Sequence, residues 1–401
     1  MNLAPPRFAA LFWREDAVEA SIEGAQQRFR AAGWAVAFAA EGAAVFVEGA
    51  AHAPAMIFGD GGGAAIGWFA PRRGAPAPAS PEFTRRLAAS DGAFLAREHF
   101  GGYAAFFRGA DGAWRALRDP TGAVPCFTAT YSGVTAFFSD MRACELAIDC
   151  PLLIDWDHVA LFLAWPERRT AGTGIVGVSE LYPGDCARIG HDALVLEFAW
   201  SPDPFWRAAK DADPAAAAER LVESAAAGAG AVSARAGRIL HRLSGGLDSA
   251  IVLGLLRETR PADDIVAVNF WRDEPDADER AYARSAARQA GCRLIEIDAA
   301  PSPTDGALEA MTRTHRGAFS PAAAGLMTPT RLALDRLAAA QGCDTITSGQ
   351  GGDHLFIQRP SPLLAADVIR LFGLRRAIAG PILDLARSQR RTVAALMIAA
   401  L

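Results

Sequence analysis

Between residues 238 and 347 apolar runs of strand length alternate with runs of helical length, and this alternation limits the fold more than any other feature of the chain. Strands are expected over 238–243, 265–270, 293–297 and 345–347, and helices over 247–258, 277–290 and 330–340. Strands separated by helices form a parallel, doubly wound sheet, because each crossover needs a helix to return the chain to the same end. A further helix is expected over 215–227, with Asp213 as its cap and Pro214 in its first turn.

The turn after the first of these strands is Ser244-Gly245-Gly246-Leu247-Asp248-Ser249. Two glycines let the backbone turn tightly, and the helix that follows presents unpaired N–H groups at the positive end of its dipole. Such a turn suits phosphate. The hydroxyls of Ser244 and Ser249 add donors, whereas the Asp248 carboxylate is favourable beside phosphates only if a cation such as Mg²⁺ bridges them. The alternative is a tight turn whose Asp and Ser merely cap a helix. A second glycine loop, Ser348-Gly349-Gln350-Gly351-Gly352-Asp353, follows the strand 345–347. Both loops then fall at strand ends, where open α/β sheets bind ligands. Asp353 is expected to supply a second carboxylate to Mg²⁺, its other reading being a turn-former.

Other nucleotide motifs fail. Lys210 is the only lysine and arginine supplies the other 39 basic residues, so the P-loop pattern G-x-x-x-x-G-K-[ST] is absent. Gly172-Thr173-Gly174-Ile175-Val176-Gly177 matches G-x-G-x-x-G, but Glu167-Arg168-Arg169-Thr170 precedes it where a dinucleotide fold needs an apolar strand. With 40 basic and 45 acidic side chains and a net charge of −5, there is no basic field for nucleic acid or an anionic membrane. No apolar run reaches the roughly 20 residues of a membrane span, and no signal peptide opens the chain. The six cysteines form no C-x-x-C pair, which argues against a metal framework or disulfides and for reduced thiols in the cytoplasm.

The first half reads as short strands punctuated by glycine, at 34–38, 44–47, 103–107 and 135–138, with a Pro/Ala-rich loop at 71–81. Ser201-Pro202-Asp203-Pro204 and Asp211-Ala212-Asp213-Pro214 are expected to break any regular element, so the boundary is put at 205/206. Two domains suit 401 residues.

The two glycine loops resemble the nucleotide loops of the asparagine synthetase superfamily, whose members activate a carboxylate as an acyl-adenylate and pass it to an amine. Arg118-Asp119-Pro120-Thr121-Gly122-Ala123-Val124-Pro125, Phe138-Ser139-Asp140-Met141-Arg142-Ala143 and Leu181-Tyr182-Pro183-Gly184 resemble segments of its N-terminal glutamine amidotransferase-like domain, and Thr328-Pro329 resembles a pair in its synthetase domain. The resemblance implies an α+β antiparallel sandwich of the Ntn type over 1–205 and an α/β adenine nucleotide (PP-loop) synthetase domain over 206–401. It implies ATP and Mg²⁺. Leu243 would be among the nucleotide-binding residues, Ser244, Gly245, Gly246 and Ser249 would hold the leaving pyrophosphate, Val268, Ser348 and Gly349 would contact adenosine, and Asp248 and Asp353 would be the catalytic metal-binding pair.

Position 2 is Asn2, where a glutaminase of this kind carries its nucleophilic cysteine. The amine is therefore expected to belong to the substrate, as in β-lactam synthetases and lasso-peptide macrolactam synthetases. Gln350-Gly351-Gly352-Asp353-His354 and the stretches Asn269-Phe270-Trp271 and Asp278-Glu279-Arg280-Ala281-Tyr282-Ala283-Arg284 resemble the latter. The implied substrate is a ribosomal precursor peptide, freed of its leader by a processing protease, whose N-terminal amine joins an Asp or Glu side chain. The alternatives are an asparagine synthetase-like or β-lactam synthetase-like ligase acting on a small molecule, and a degenerate scaffold that binds nucleotide or peptide without catalysis.

Relatives also use a lysine in the C-terminal part, and none of the 48 residues after Asp353 is lysine. Either the chain is a truncated form, which its apolar run 392–401 favours, or Arg375, Arg376, Arg387, Arg390 or Arg391 substitutes. Glu279 is expected to bind nucleotide or amine, or simply to complement a helix dipole. Glu309, His315 and Arg316 are expected in ordinary surface roles, the alternative being the wall of the peptide pocket. His354 is expected at the substrate or in a turn, and Trp271 against the site or in the core.

Overall fold

Alternate residues of each N-terminal strand enter different cores, which is how a two-residue period builds layers. The structure, a computed structural model, describes residues 6–13, 19–49, 55–72, 76–165, 170–190, 194–208, 213–273, 278–298, 318–319, 328–352, 355, 364–389 and 391–400. Its strands in chain order are β1 (Phe8–Trp13), β2 (Trp34–Ala40), β3 (Ala43–Glu48), β4 (Ala55–Ile57), β5 (Gly63–Pro71), β6 (His99–Arg108), β7 (Trp114–Arg118), β8 (Phe127–Tyr131), β9 (Val134–Phe138), β10 (Ser179–Glu180), β11 (Asp185–Ile189), β12 (Leu194–Phe198), β13 (Ile239–Arg242), β14 (Ile265–Trp271), β15 (Arg293–Asp298) and β16 (Thr345–Ser348). The helices up to the second glycine-loop strand are α1 (Glu19–Ala31), α2 (Pro81–Ala89), α3 (Ala93–Glu98), α4 (Met141–Ala147), α5 (Trp156–Ala164), α6 (Asp203–Ala208), α7 (Pro214–Ser233), α8 (Leu247–Thr259), α9 (Arg280–Ala290) and α10 (Thr328–Ala340).

The chain divides into two compact units, 1–238 with 301–345, and 239–300 with 346–401. In the first, two six-stranded sheets run in the orders β10-β8-β9-β1-β3-β2 and β12-β11-β7-β6-β5-β4. Their neighbours pair antiparallel, for example Leu11 with Ala136 and Ala105 with Leu117. Phe8, Ala10, Phe12, Val45, Ile66, Ala104 and Phe106 meet in one buried cluster between the sheets. The residues next to them in sequence face outward: Leu11 and Phe46 pack under α1 and α4, while Tyr103, Ala105 and Phe107 pack under α2 and α3. The result is a four-layer helix–sheet–sheet–helix sandwich.

The second unit holds the four-stranded sheet β15-β14-β13-β16, with β13, β14 and β15 parallel and Leu240 opposite Val266. The chain lays down β13, β14 and β15 in one direction and then returns to the far side of β13 for β16. The order therefore reverses at β13, the place where such sheets open a crevice for ligand. Toward the C-terminus the helices Leu364–Phe372, Leu374–Ala379, Pro381–Ser388 and Val393–Ala400 pack around Ala365, Ile382, Leu385 and Leu396. Within this last helix Leu396 is fully buried, whereas Ile398 is exposed.

Two expectations about local structure need correction. The segment around Pro204 does not break all regular structure, since α6 spans Asp203–Ala208. Proline in a first turn removes an N–H that has no helical partner anyway. The helix expected from 277 starts at Arg280, because the Asp278 carboxylate accepts from the Arg280 N–H at 3.1 Å and holds the chain in a turn before the helix. Among the described residues no helix is long and apolar enough to cross a membrane.

Candidate active site

The first glycine loop leaves the sheet at Leu243, whose N–H still donates to Val268 at 2.8 Å. The Leu243 carbonyl accepts from the Asn269 side-chain amide at 2.8 Å, so the last carbonyl before the loop keeps a partner. Within the turn, Ser249 Oγ accepts from the Ser244 N–H at 3.1 Å and Ser244 Oγ accepts from the Gly246 N–H at 3.1 Å. The Gly245 N–H donates to Glu279 Oε2 at 2.8 Å. Gly246 stands at the N-cap of α8 and has no side chain to cap it, which leaves the helix entrance to an external anion.

The second loop folds on itself through Gln350 N–H to Ser348 Oγ at 3.2 Å and Gly352 N–H to Gly349 O at 3.2 Å. Gly351 has φ +106°, a conformation that disfavours any side chain. The two loops touch where glycine is required. A Cβ on Gly349 would overlap the Ser249 backbone, and one on Gly352 would overlap the Asp248 carboxylate.

Both loops line one cavity of about 630 Å³. Of the residues singled out in the sequence, Ser244, Gly246, Asp248, Ser249, Ser348 and Gly349 lie in its wall. Gly245 is in the same turn, its amide turned to Glu279. Leu243 and Val268 are fully buried in the sheet below, so any ligand contact of theirs must use backbone. Asp353 and His354 lie outside the described residues, as do Lys210, Glu309, His315, Arg316 and Arg390. Trp271 is half-buried under the Arg280 guanidinium, 3.7 Å from its ring centroid. Arg375, Arg387 and Arg391 are exposed.

Sequence reasoning missed two side chains here. Arg242 is the one cation in the described cavity wall, which also holds the carboxylates of Asp248 and Glu279. The clue was its place two residues before the first loop. The other is His241, fully buried, with Nδ1 2.9 Å from Thr347 Oγ1 and Nε2 2.9 Å from the Ser249 carbonyl oxygen. A carbonyl can only accept, so Nε2 carries the proton and Nδ1 accepts from the threonine. Burial lowers its pKa to about 4 and keeps the ring neutral. In sequence it is a single histidine in an apolar strand, with no sign of either partner.

In the sandwich, the motif at Arg118 is structural. Its guanidinium donates to the carbonyls of Val124 (3.0 Å), Gly122 (3.1 Å) and Leu181 (2.6 Å), and to Glu180 (2.8 Å). Asp119, fully buried, accepts from the Tyr103 and Thr121 N–H groups. Burial pushes the thiols of Cys126, Cys144 and Cys186 up to about 12, which removes them as thiolate nucleophiles. Gly172–Gly177 shows no strand–turn–helix geometry; Thr173 Oγ1 instead lies 3.0 Å from the Val178 carbonyl and closes a local turn.

Residues 235–397 match the family model of asparagine synthase. That region, which holds both glycine loops, is of the ATP-dependent, amide-forming ligase class. No curated protein matches the chain. Among solved structures, it is similar to glutamine-dependent NAD+ synthetase from Acinetobacter baumannii in complex with adenosine diphosphate, at 20% identity over 43% of this chain and 31% of that one, with TM-score 0.26. It is also similar to NH3-dependent NAD synthetase from Campylobacter jejuni subsp. jejuni, at 11% identity over 43% of this chain and 92% of that one, with TM-score 0.24. A third is glutamine phosphoribosylpyrophosphate amidotransferase from B. subtilis complexed with ADP and GMP, at 10% identity over 85% and 90%, with TM-score 0.29. This chain spans about a third of the first of these, and likenesses so slight carry no statement about activity.

Proposed function

We propose that this chain joins an amine to a carboxylate through an acyl-adenylate, and that its substrate is a ribosomal precursor peptide closed into a macrolactam. The observation that carries the adenylation reading is the meeting of two glycine loops on one cavity at the reversal point of the sheet. A substrate carboxylate oxygen bonds to the α-phosphorus of ATP and the bond to pyrophosphate breaks. An amine nitrogen then attacks the acyl carbon, AMP leaves, and the amine loses a proton.

In this reading Ser244, Gly245, Gly246 and Ser249 take the pyrophosphate at the open entrance of α8. The backbone near Leu243 and Val268, with Ser348 and Gly349, takes the adenosine. Mg²⁺ suits the donor set: Asp248 is a carboxylate in a cavity wall with hydroxyls beside it, and Mg²⁺ is usually held by one or two carboxylates plus phosphate oxygens. Asp248 and Asp353 would hold the ion, which offsets phosphate charge when bound.

The peptide reading rests on the resemblance of residues 269–271, 278–284 and 350–354 to lasso-peptide macrolactam synthetases. The burial of Cys126, Cys144 and Cys186 agrees with an amine supplied by the substrate rather than by glutamine, Cys150 being the exposed thiol of the sandwich. The peptide's folded shape would bring its N-terminal amine to an Asp or Glu side chain, so that ring closure gains chiefly from proximity. A leader-processing protease would supply the free amine. Use of ATP and reduced thiols fits the cytoplasm.

Purified chain with Mg-ATP and a leader-free core peptide is expected to release AMP and pyrophosphate and to remove one water mass from the peptide. Water loss from a small amino acid substrate alone would favour a small-molecule ligase. Nucleotide binding without turnover on any substrate would favour a scaffold.

A further inference from the structure

The Glu279 carboxylate competes for a donor that a phosphate would use. Its Oε2 accepts from the Gly245 N–H at 2.8 Å, inside the turn between β13 and α8. The approach is built into the backbone: a Cβ on Gly245 would overlap the Glu279 Cβ and lie 2.9 Å from the Glu279 carbonyl oxygen, so only glycine permits it. The backbone of Glu279 is fixed, because its carbonyl accepts the N–H groups of Tyr282 and Ala283 at 3.1 Å each. The residue itself is exposed and lines the cavity, so its carboxylate can rotate away while the main chain stays.

We infer that Glu279 is a displaceable stand-in for a phosphate oxygen, and that its return to Gly245 helps expel pyrophosphate. The inference rests on the nucleotide reading given above. The other acceptors in the turn are neutral hydroxyls that can rotate to donate to phosphate: Ser244 Oγ for Gly246 and Ser249 Oγ for Ser244. Glu279 differs, since a carboxylate has no proton to offer and repels the incoming anion. With Asp248 it gives the described wall two carboxylates against the single guanidinium of Arg242. A charge-assisted bond is roughly twice as strong as a neutral one, so the competition is with the strongest acceptor in the turn. Were Glu279 instead a cation ligand or a direct nucleotide contact, its removal would weaken binding. The sign decides.

The test is the dissociation constant of inorganic pyrophosphate with Mg²⁺, measured by calorimetry on the full chain, for wild type, Glu279→Gln and Glu279→Ala. Both variants are expected to bind about tenfold more tightly. Both are also expected to lower KM for ATP, with kcat falling as pyrophosphate release slows. Unchanged or weaker pyrophosphate binding in both variants overturns the inference while leaving the nucleotide site in place. A wild type that binds neither pyrophosphate nor ATP overturns the nucleotide reading itself, and the inference with it.

Discussion

His241 holds the Ser249 carbonyl through its Nε2–H at 2.9 Å, tying the strand before the first glycine loop to the first turn of the helix after it. Its Nδ1 takes the Thr347 hydroxyl from the strand that leads into the second loop. One neutral imidazole thereby sets the spacing of both loops from beneath the cavity. Replacing it with phenylalanine takes the donor from the buried Ser249 carbonyl and the acceptor from the Thr347 hydroxyl, at a cost of about 1–3 kcal/mol. His241→Phe is expected to raise KM for ATP, and His241→Gln, which retains one bond, to recover part of it. Steady-state kinetics of the two variants check this.

The same imidazole makes stability depend on pH. Its folded pKa, about 4, lies below the ordinary histidine value of 6.5, so between these values the unfolded chain binds the extra proton. Its contribution is fully present above pH 6.5 and is lost as pH falls toward 4, about 3 kcal/mol in all. Urea midpoints measured from pH 7 to 4 are expected to fall more steeply for wild type than for His241→Gln.

Gly349 and Gly352 let the loops touch. Gly352→Ala drives its methyl into the Asp248 carboxylate, and Gly349→Ala drives one into the Ser249 backbone. A misplacement of about 1 Å at a reacting centre can cost on the order of 10²-fold in rate. Gly352→Ala is expected to lower kcat by about that factor with circular dichroism unchanged, whereas Gly349→Ala, which meets main chain, is also expected to lower the melting temperature.

The strands at 34–38, 44–47, 103–107 and 135–138 were legible as short apolar runs bounded by turn residues, whereas 8–13, apolar at every position, shows no alternation from which its two faces could be read. The glycine turn between β13 and α8 was legible too, since strand, glycines and helix are contiguous from Ile239 to Thr259. Contacts across long sequence separations were not. Glu279 meets Gly245 over 34 residues and His241 meets Thr347 over 106, and no local pattern encodes either pairing. The start of α9 was misplaced because a single Asp278 side chain, rather than helix propensity, decides it.

Arg118 closes the turn between β7 and β8 with bonds to three carbonyls and to Glu180. Removing one partner of such a buried pair typically costs about 3–5 kcal/mol. Arg118→Ala is expected to lower the chain's melting temperature markedly while an isolated adenylation signal, if the protein still folds, is unaffected. Thermal scans with and without Mg-ATP separate the two effects.

Cys150 is exposed, and the other five cysteines are buried and unpaired. A disulfide-exchange reagent is expected to label one thiol rapidly in the native protein and all six in urea. Two or more fast thiols would contradict the burial of the other five.

The central claim is that this cavity splits ATP between its α- and β-phosphates to activate a carboxylate. The most direct measurement is chromatography of the nucleotide products formed with Mg-ATP and a leader-free core peptide, in wild type and in Asp248→Asn. The account predicts AMP and pyrophosphate in equal amounts, dependent on peptide, and loss of both in the variant. Peptide-dependent release of ADP and phosphate, or AMP release that survives Asp248→Asn unchanged, would contradict it.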